Sequence, residues 1–171
     1  MGRDLTPDFY IRSYTELSPS FFKENGIRGL LTDLDDTLVP HNSMDISATL
    51  FDWTAQLRSA GIEILLLSNN KRARVEPFAK RLGVPFLSRA LKPTCFRTRR
   101  ASAVLNIPPE ECILMGDQIF TDIAAAKRLN IRSVLVDPVG QKSTRYVQLK
   151  RRRERKKRSQ LKRVKINGSD T

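Results

Sequence analysis

Cysteine, histidine and long apolar runs are all scarce in this 171-residue chain, which has two cysteines and one histidine. Cys95 and Cys112 are too few and too ill-spaced for a disulfide framework or a zinc site. They read as reduced thiols of a cytosolic protein. The longest apolar runs are about half the length a bilayer span needs, so no transmembrane helix is expected. The N-terminus, Met1 to Asp8, has no apolar signal core and is acidic early, which argues against secretion and organelle transit. There is no internal repeat. What is present is 40% hydrophobic residues, enough for a real core and against wholesale disorder. The length suits one ordinary domain.

The net charge of +13 is unevenly spread. Residues 141–171 hold 13 Lys/Arg against two acids, Glu154 and Asp170, a net +11. Residues 1–140 hold 18 Lys/Arg against 16 acids, a net +2. The chain therefore divides into a nearly neutral domain, 1–140, and a basic tail, 141–171, read as disordered or partly helical. Residues 1–25 form an aromatic-rich extension (Phe9, Tyr10, Tyr14, Phe21, Phe22) expected to pack on the domain.

Five apolar runs follow the extension: 27–32, 62–67, 84–87, 112–115 and 131–136. They are continuous rather than alternating, as in parallel strands covered on both faces. Between them, residues 46–60 and 72–82 carry a 3.6-residue apolar period and stop at Gly61 and Gly83. Pro77 is placed in the first turns of the second helix. Residues 94–105 and 121–129 also read as helices, the latter with Thr121 as N-cap. Such alternation predicts an α/β, doubly wound, Rossmann-like parallel sheet of about five strands with helices on both faces. Ligands of such folds bind at the carboxyl ends of the strands. Asp33, Ser68 and Asp117 close three of the runs and so share that edge.

Asp33 and Asp35 stand two apart as the first strand ends, where extended chain points both the same way. Paired carboxylates repel unless a cation joins them or one is protonated. A hard cation such as Mg²⁺ prefers oxygen ligands. One carboxylate can then attack phosphorus while the other protonates the leaving group. A helix cap or an acidic turn is the plainer reading of the same residues. Ser68 and the N–H groups around Asn69-Asn70 could hold phosphate oxygens or simply cap the next helix. Lys92, in a loop, could neutralise phosphate and keep a nucleophilic carboxylate ionised. Gly116-Asp117 and Asp122 offer two more carboxylates at the next strand end, with Gly116 allowing a sharp turn. Asp122 could equally stabilise the positive end of the following helix. The lone His41, just past the first pair, is given no role.

Asp33-Leu34-Asp35-Asp36-Thr37-Leu38, Ser68, Lys92 and Gly116-Asp117…Asp122 resemble the four ordered motifs of the haloacid dehalogenase (HAD) superfamily, across roughly residues 25–137. The resemblance implies a Mg²⁺-dependent phosphatase with Asp33 as nucleophile, forming an aspartyl-phosphate. It implies that Asp35 is general acid/base and a metal ligand through its carbonyl, that Asp117 is a direct metal ligand, and that Asp122 is a second carboxylate nearby. Ser68 and Lys92 would hold the phosphoryl group. Asp at position 35 favours a phosphatase over a dehalogenase.

The run from Leu5-Thr6-Pro7-Asp8 to Gly26–Val39, with Ser68-Asn69-Asn70, Ala90-Leu91-Lys92-Pro93 and Gly116-Asp117-Gln118, is similar to the YqeG family of subclass IIIA. Asp36 departs from the Asn often found there. Related families include mitochondrial-type phosphatidylglycerophosphate phosphatases, which makes that lipid a candidate substrate. Nucleotides, sugar phosphates and nucleic-acid ends are the alternatives.

About 24 residues separate Leu38 from the second strand, too few for a helical cap domain. An open site suits a bulky or membrane-held phosphomonoester. The stretch Lys150–Arg158 could be a solvated tail, could meet an anionic membrane surface, or could bind RNA. Its lack of aromatics argues against base recognition. The expected location is cytoplasmic, with peripheral contact on the inner face of a membrane.

Overall fold

The computed structural model describes residues 4–140, 154–155 and 157–163; the Cys95 side chain lies outside the described residues. Five strands answer to the five apolar runs: β2 (Gly29–Thr32), β3 (Glu63–Leu67), β4 (Phe86–Leu87), β5 (Cys112–Gly116) and β6 (Arg132–Val136). A sixth, β1 (Phe9–Ile11), comes from the N-terminal extension. Order across the sheet is β1-β6-β5-β2-β3-β4, and every pairing is parallel.

Alternate strand residues feed two cores, because successive side chains point to opposite faces. Leu30, Ile64, Leu66, Ile113, Met115 and Val134 face one side. There they meet α1 (Pro19–Glu24), α2 (Ala48–Ser59) and α3 (Arg72–Leu82) through Phe21, Phe22, Trp53, Leu57 and Phe78. Leu31, Leu65, Leu67 and Leu114 face the other side. They are covered by α5 (Arg100–Leu105) and α6 (Ala124–Leu129) through Ala101, Ala125 and Ala126. With a helical layer on each face, the strands can be apolar throughout.

The helix ends follow from local chemistry. Ser18 and Ser47 accept from the Phe21 and Leu50 N–H groups at the starts of α1 and α2. Gly83 ends α3 at φ +66°, in the left-handed region. Pro77 lies in the second turn of α3, among the first turns as the sequence placed it. One detail differs from the sequence pattern. The single helix expected over 94–105 is divided into α4 (Cys95–Thr98) and α5, with the Thr98 hydroxyl bonded back to the Thr94 carbonyl at 2.9 Å.

A second difference matters for function. Thr121 is not an N-cap; it sits inside a π-helical turn, Ile119–Ile123, that runs into α6. The N–H groups of Asp122 and Ile123 both bond the Gln118 carbonyl, at 2.9 and 3.3 Å, which widens the turn.

Aromatic and aliphatic residues of the N-terminal extension are buried against the domain. Tyr14, Leu17, Phe21 and Phe22 are buried, and the Trp53 indole donates to the Leu17 carbonyl at 2.9 Å. Most of the basic tail lies outside the described residues. Of it, residues 154–155 and 157–163 return to the domain, with Leu161 against Tyr10, Ile119, Ile123 and Leu135. Among the described residues no helix is long and apolar enough to cross a membrane.

Candidate active site

From β2 the chain runs outward through β3 to β4, and from β5 outward the other way to β6. The centre, between β2 and β5, is thus a topological switch point, where α/β sheets open a crevice. Thr32 pairs with Met115, so Asp33 and Asp117 leave adjacent strands at nearly the same level. The Asp33 N–H bonds the Met115 carbonyl at 2.9 Å. Ser68 follows β3 on the next strand over. A cleft of about 300 Å³ opens here, lined by Asp33, Asp35, His41, Ser68, Lys92 and Gln118 among others.

The floor of the cleft is a charge cluster. Asp33, Asp117 and Asp122 are buried, and one carboxylate oxygen from each lies within 4.8 Å of the others. The Lys92 ammonium is 3.1 Å from Asp33 and 2.7 Å from Asp122, and it too is buried. Burial pushes the Asp33 carboxyl up to about 7, against the pull of Lys92 and with the push of Asp122. Burial alone would lower the Lys92 pKa, but the charges of Asp122 and Asp33 outweigh it and hold the amine above its ordinary value. Three carboxylates facing one ammonium leave a deficit that a divalent cation with oxygen ligands balances. The residues present therefore fit a Mg²⁺-like ion.

Gly116 makes this closeness possible. A Cβ there would lie 2.2 Å from the Asp122 Cγ, so another residue would push that carboxylate out of the cluster. Asp122 is fixed in turn by the Gln118 N–H, which donates to its Oδ2 at 3.0 Å.

Lys92 is held from behind by Asn69. The Asn69 side chain accepts from the Lys92 N–H at 2.7 Å and donates to the Lys92 carbonyl at 2.9 Å. The Asn69 side-chain amide is thus occupied in placing the lysine. Ser68 is buried, and its hydroxyl accepts from the Asn70 N–H at 3.1 Å.

The Asp35 carboxylate stands apart from the carboxylate cluster. Arg74 Nε and Nη2 donate to its Oδ1 at 2.9 and 2.7 Å, and Asn70 donates to its Oδ2 at 2.8 Å. Arg74 lies over the Phe78 ring at 4.8 Å and also donates to the carbonyls of Pro40 and Ser43. One guanidinium therefore ties Asp35 and the 40–43 loop to α3. Asp36 takes a left-handed backbone, φ +60°, which short polar residues tolerate. Its carboxylate accepts from the His41 N–H at 3.2 Å.

Arg74 escaped the sequence reading, as did the bond from the Asn70 side chain to Asp35. An arginine on an exposed-looking helical turn carries no signal of a partner 39 residues away. The periodicity of α3 could have placed Arg74 one turn before Phe78, on the same face.

A doubly wound sheet with ordered carboxylates, a hydroxyl and a lysine at its switch point defines the HAD-like phosphatase class. Comparison with known proteins agrees. A HAD-hydrolase-like family model matches residues 90–155. The probable phosphatase YqeG of Bacillus subtilis is 32% identical over 157 residues, covering 92% of this chain and 91% of that protein. Among solved structures, an uncharacterized protein from Listeria monocytogenes has a TM-score of 0.55 at 16% identity, over 70% of this chain and 84% of that one. The 3-deoxy-D-manno-octulosonate 8-phosphate phosphatase of Yersinia pestis has 0.51 at 15% identity, over 69% and 67%. The chain belongs to the YqeG family of HAD-like phosphatases.

Proposed function

We propose that the chain is a Mg²⁺-dependent phosphomonoester hydrolase working through an aspartyl-phosphate at Asp33. The observation that carries this reading is the buried Lys92 ammonium between Asp33 and Asp122, beside Asp117, at the open end of the sheet. Asp33 attacks phosphorus; the bond to the leaving alkoxide breaks, and Asp35 supplies the proton that the alkoxide takes. Asp35 then takes a proton from the water that hydrolyses the acyl phosphate, releasing inorganic phosphate and Asp33. Ser68 and Lys92 hold the phosphoryl oxygens, with Asn69 keeping Lys92 in place. Asp33, Asp117, the Asp35 carbonyl and, in support, Asp122 would hold the metal. A bound divalent cation supplies charge neutralisation at the transferring phosphoryl group.

For the substrate, we favour a phosphomonoester presented at a membrane surface, phosphatidylglycerophosphate first. An uncapped cleft among the described residues and a tail of net +11 support that preference. A panel of phosphomonoesters assayed with Mg²⁺, including the lipid in vesicles, sugar phosphates and nucleotides, tests both levels. Turnover abolished by Asp33→Asn is expected. No turnover of any monoester, or an active Asp33→Asn chain, would overturn the hydrolase. Equal rates on soluble sugar phosphates and on the lipid would remove the lipid preference.

A further inference from the structure

The loop that carries Asp117 and Asp122 is tied within itself around Gln118, whose N–H bonds the Asp122 carboxylate and whose carbonyl takes the Asp122 and Ile123 N–H groups. Its turn opens at Gln118 without a side-chain cap, and the Thr121 hydroxyl reaches the Gln118 side chain only at 3.4 Å. Further support comes from the far end of the chain. The Phe120 N–H donates to the Glu154 Oε1 at 3.0 Å, and Glu154 is 4% exposed. Arg158 donates through Nη2 to the Asp117 carbonyl and through Nη1 to the Val136 carbonyl at 3.1 Å. Its guanidinium lies 5.5 Å from the Tyr10 ring centroid. Leu161 closes the contact on the apolar side, against Ile119 and Ile123.

We propose that residues 154–155 and 157–161 form a strap that belongs to the metal site, with Arg158 and Glu154 as positioning residues for the Asp117–Asp122 loop. The proposal rests on the reading of Asp33, Asp117 and Asp122 as a divalent-cation site. Arg158 acts through the backbone of Asp117 and so fixes where that carboxylate points. Asp137 Oδ1, 3.3 Å from Arg158 Nη1, offsets its positive charge, so what reaches Asp117 is position rather than added repulsion toward a cation. Glu154 holds the next stretch of the same loop by an N–H that has no helical partner. Supporting groups behind a metal ligand typically change its affinity by about 10–100-fold. Because coupling is reciprocal, a strap that strengthens metal binding is itself held more firmly when metal is bound.

The test uses the full chain and two readouts other than turnover. The first is Mg²⁺ and Mn²⁺ affinity by calorimetry; the second is tryptic cleavage within residues 155–158, followed by mass spectrometry with and without Mg²⁺. Arg158→Ala should weaken metal binding about tenfold, and Arg158→Lys should recover part of that loss. Arg163→Ala should match wild type, since Arg163 meets Asp137 and the Tyr10 ring but not the loop. Mg²⁺ should slow cleavage in wild type and have no effect in Asp117→Asn. If Arg158→Ala does not fold, Glu154→Gln and the wild-type cleavage experiment carry the test. Unchanged metal affinity in Arg158→Ala, an equal loss in Arg163→Ala, or cleavage indifferent to Mg²⁺ would overturn the strap. A wild-type chain that binds neither metal would overturn the metal reading and the strap with it.

Discussion

Gly116 is the residue at which backbone freedom decides the chemistry. Only the absence of a Cβ lets the Asp122 carboxylate lie against the strand end, 2.2 Å from where that atom would sit. Gly116→Ala should lose about 1–3 kcal/mol of stability through overpacking and most of the metal-dependent turnover. Thermal unfolding and kcat measured together check this, and an alanine chain with both at wild-type level would mean the loop shifts freely. Cys112 supports a second prediction. Burial pushes its thiol up to about 11, so at pH 8 iodoacetamide should label it far more slowly in native than in unfolded protein. At this scale Asp33, Ser68, Lys92 and Asp117 were legible because each ends a strand or opens a loop in a recognisable order. The Arg74–Asp35 pair was not, because its two halves meet only when α3 packs against the loop that follows β2. Nor was the use of Asn69, since a side chain that binds a backbone leaves no trace in residue type.

Elements add constraints that single residues do not carry. Asn70 just ahead of α3 and Arg74 in its first turn hold Asp35, so the placement of α3 sets where the proposed acid stands. Arg74→Ala should lower kcat by roughly 100-fold, the lower end of the usual scale of general acid–base assistance, while metal affinity stays at wild type. Equal loss of metal affinity would mean Arg74 supports the whole cleft instead. β1 is the strand the apolar pattern did not assign, because three residues are too short to stand out as a run. What anchors it is Asp8, which accepts from the Ser133 N–H at 2.8 Å and hydroxyl at 2.6 Å and pairs with Lys127 at 3.0 Å. Burial opposes ionisation there, but the Ser133 and Lys127 hydrogen bonds outweigh it and lower the carboxyl below its usual 3.8. Sign follows from linkage: the unfolded chain takes up the proton first as pH falls. Asp8 therefore contributes its full stability above about pH 4 and loses it below. Asp8→Asn should be less stable than wild type at pH 7, with the gap narrowing below pH 4; a constant gap in pH-dependent unfolding would refute the assignment.

Across the whole molecule, the charge of +13 divides as +2 and +11 at residue 140, which suggests a catalytic domain with a separable appendage. The strap argues that the appendage is only partly separable. Arg158 and Glu154 fall inside the basic stretch, yet both reach the Asp117–Asp122 loop. Composition could not reveal this, because a run of Lys and Arg reads the same whether its members face solvent or a buried carbonyl. The buried Glu154 was the one irregularity in that run. Truncation before residue 154 should therefore cost metal affinity as well as any binding the tail performs. Neutralising Lys150, Arg151, Arg152 and Arg153 to Gln should separate the two. Each basic residue near an anionic surface contributes about 1 kcal/mol at low salt, so four together set an upper limit of about three decades on the loss. Vesicle co-sedimentation should show weaker binding by the Gln variant to anionic vesicles, a difference that closes as salt is raised and screening shortens the reach of the charges. Turnover of a soluble phosphomonoester should stay at wild type, because Glu154, Arg158 and Leu161, which hold the Asp117–Asp122 loop, are unaltered. Loss of soluble turnover in the Gln variant would mean the stretch ahead of the strap also supports the site, and unchanged vesicle binding would remove the tail as a membrane contact.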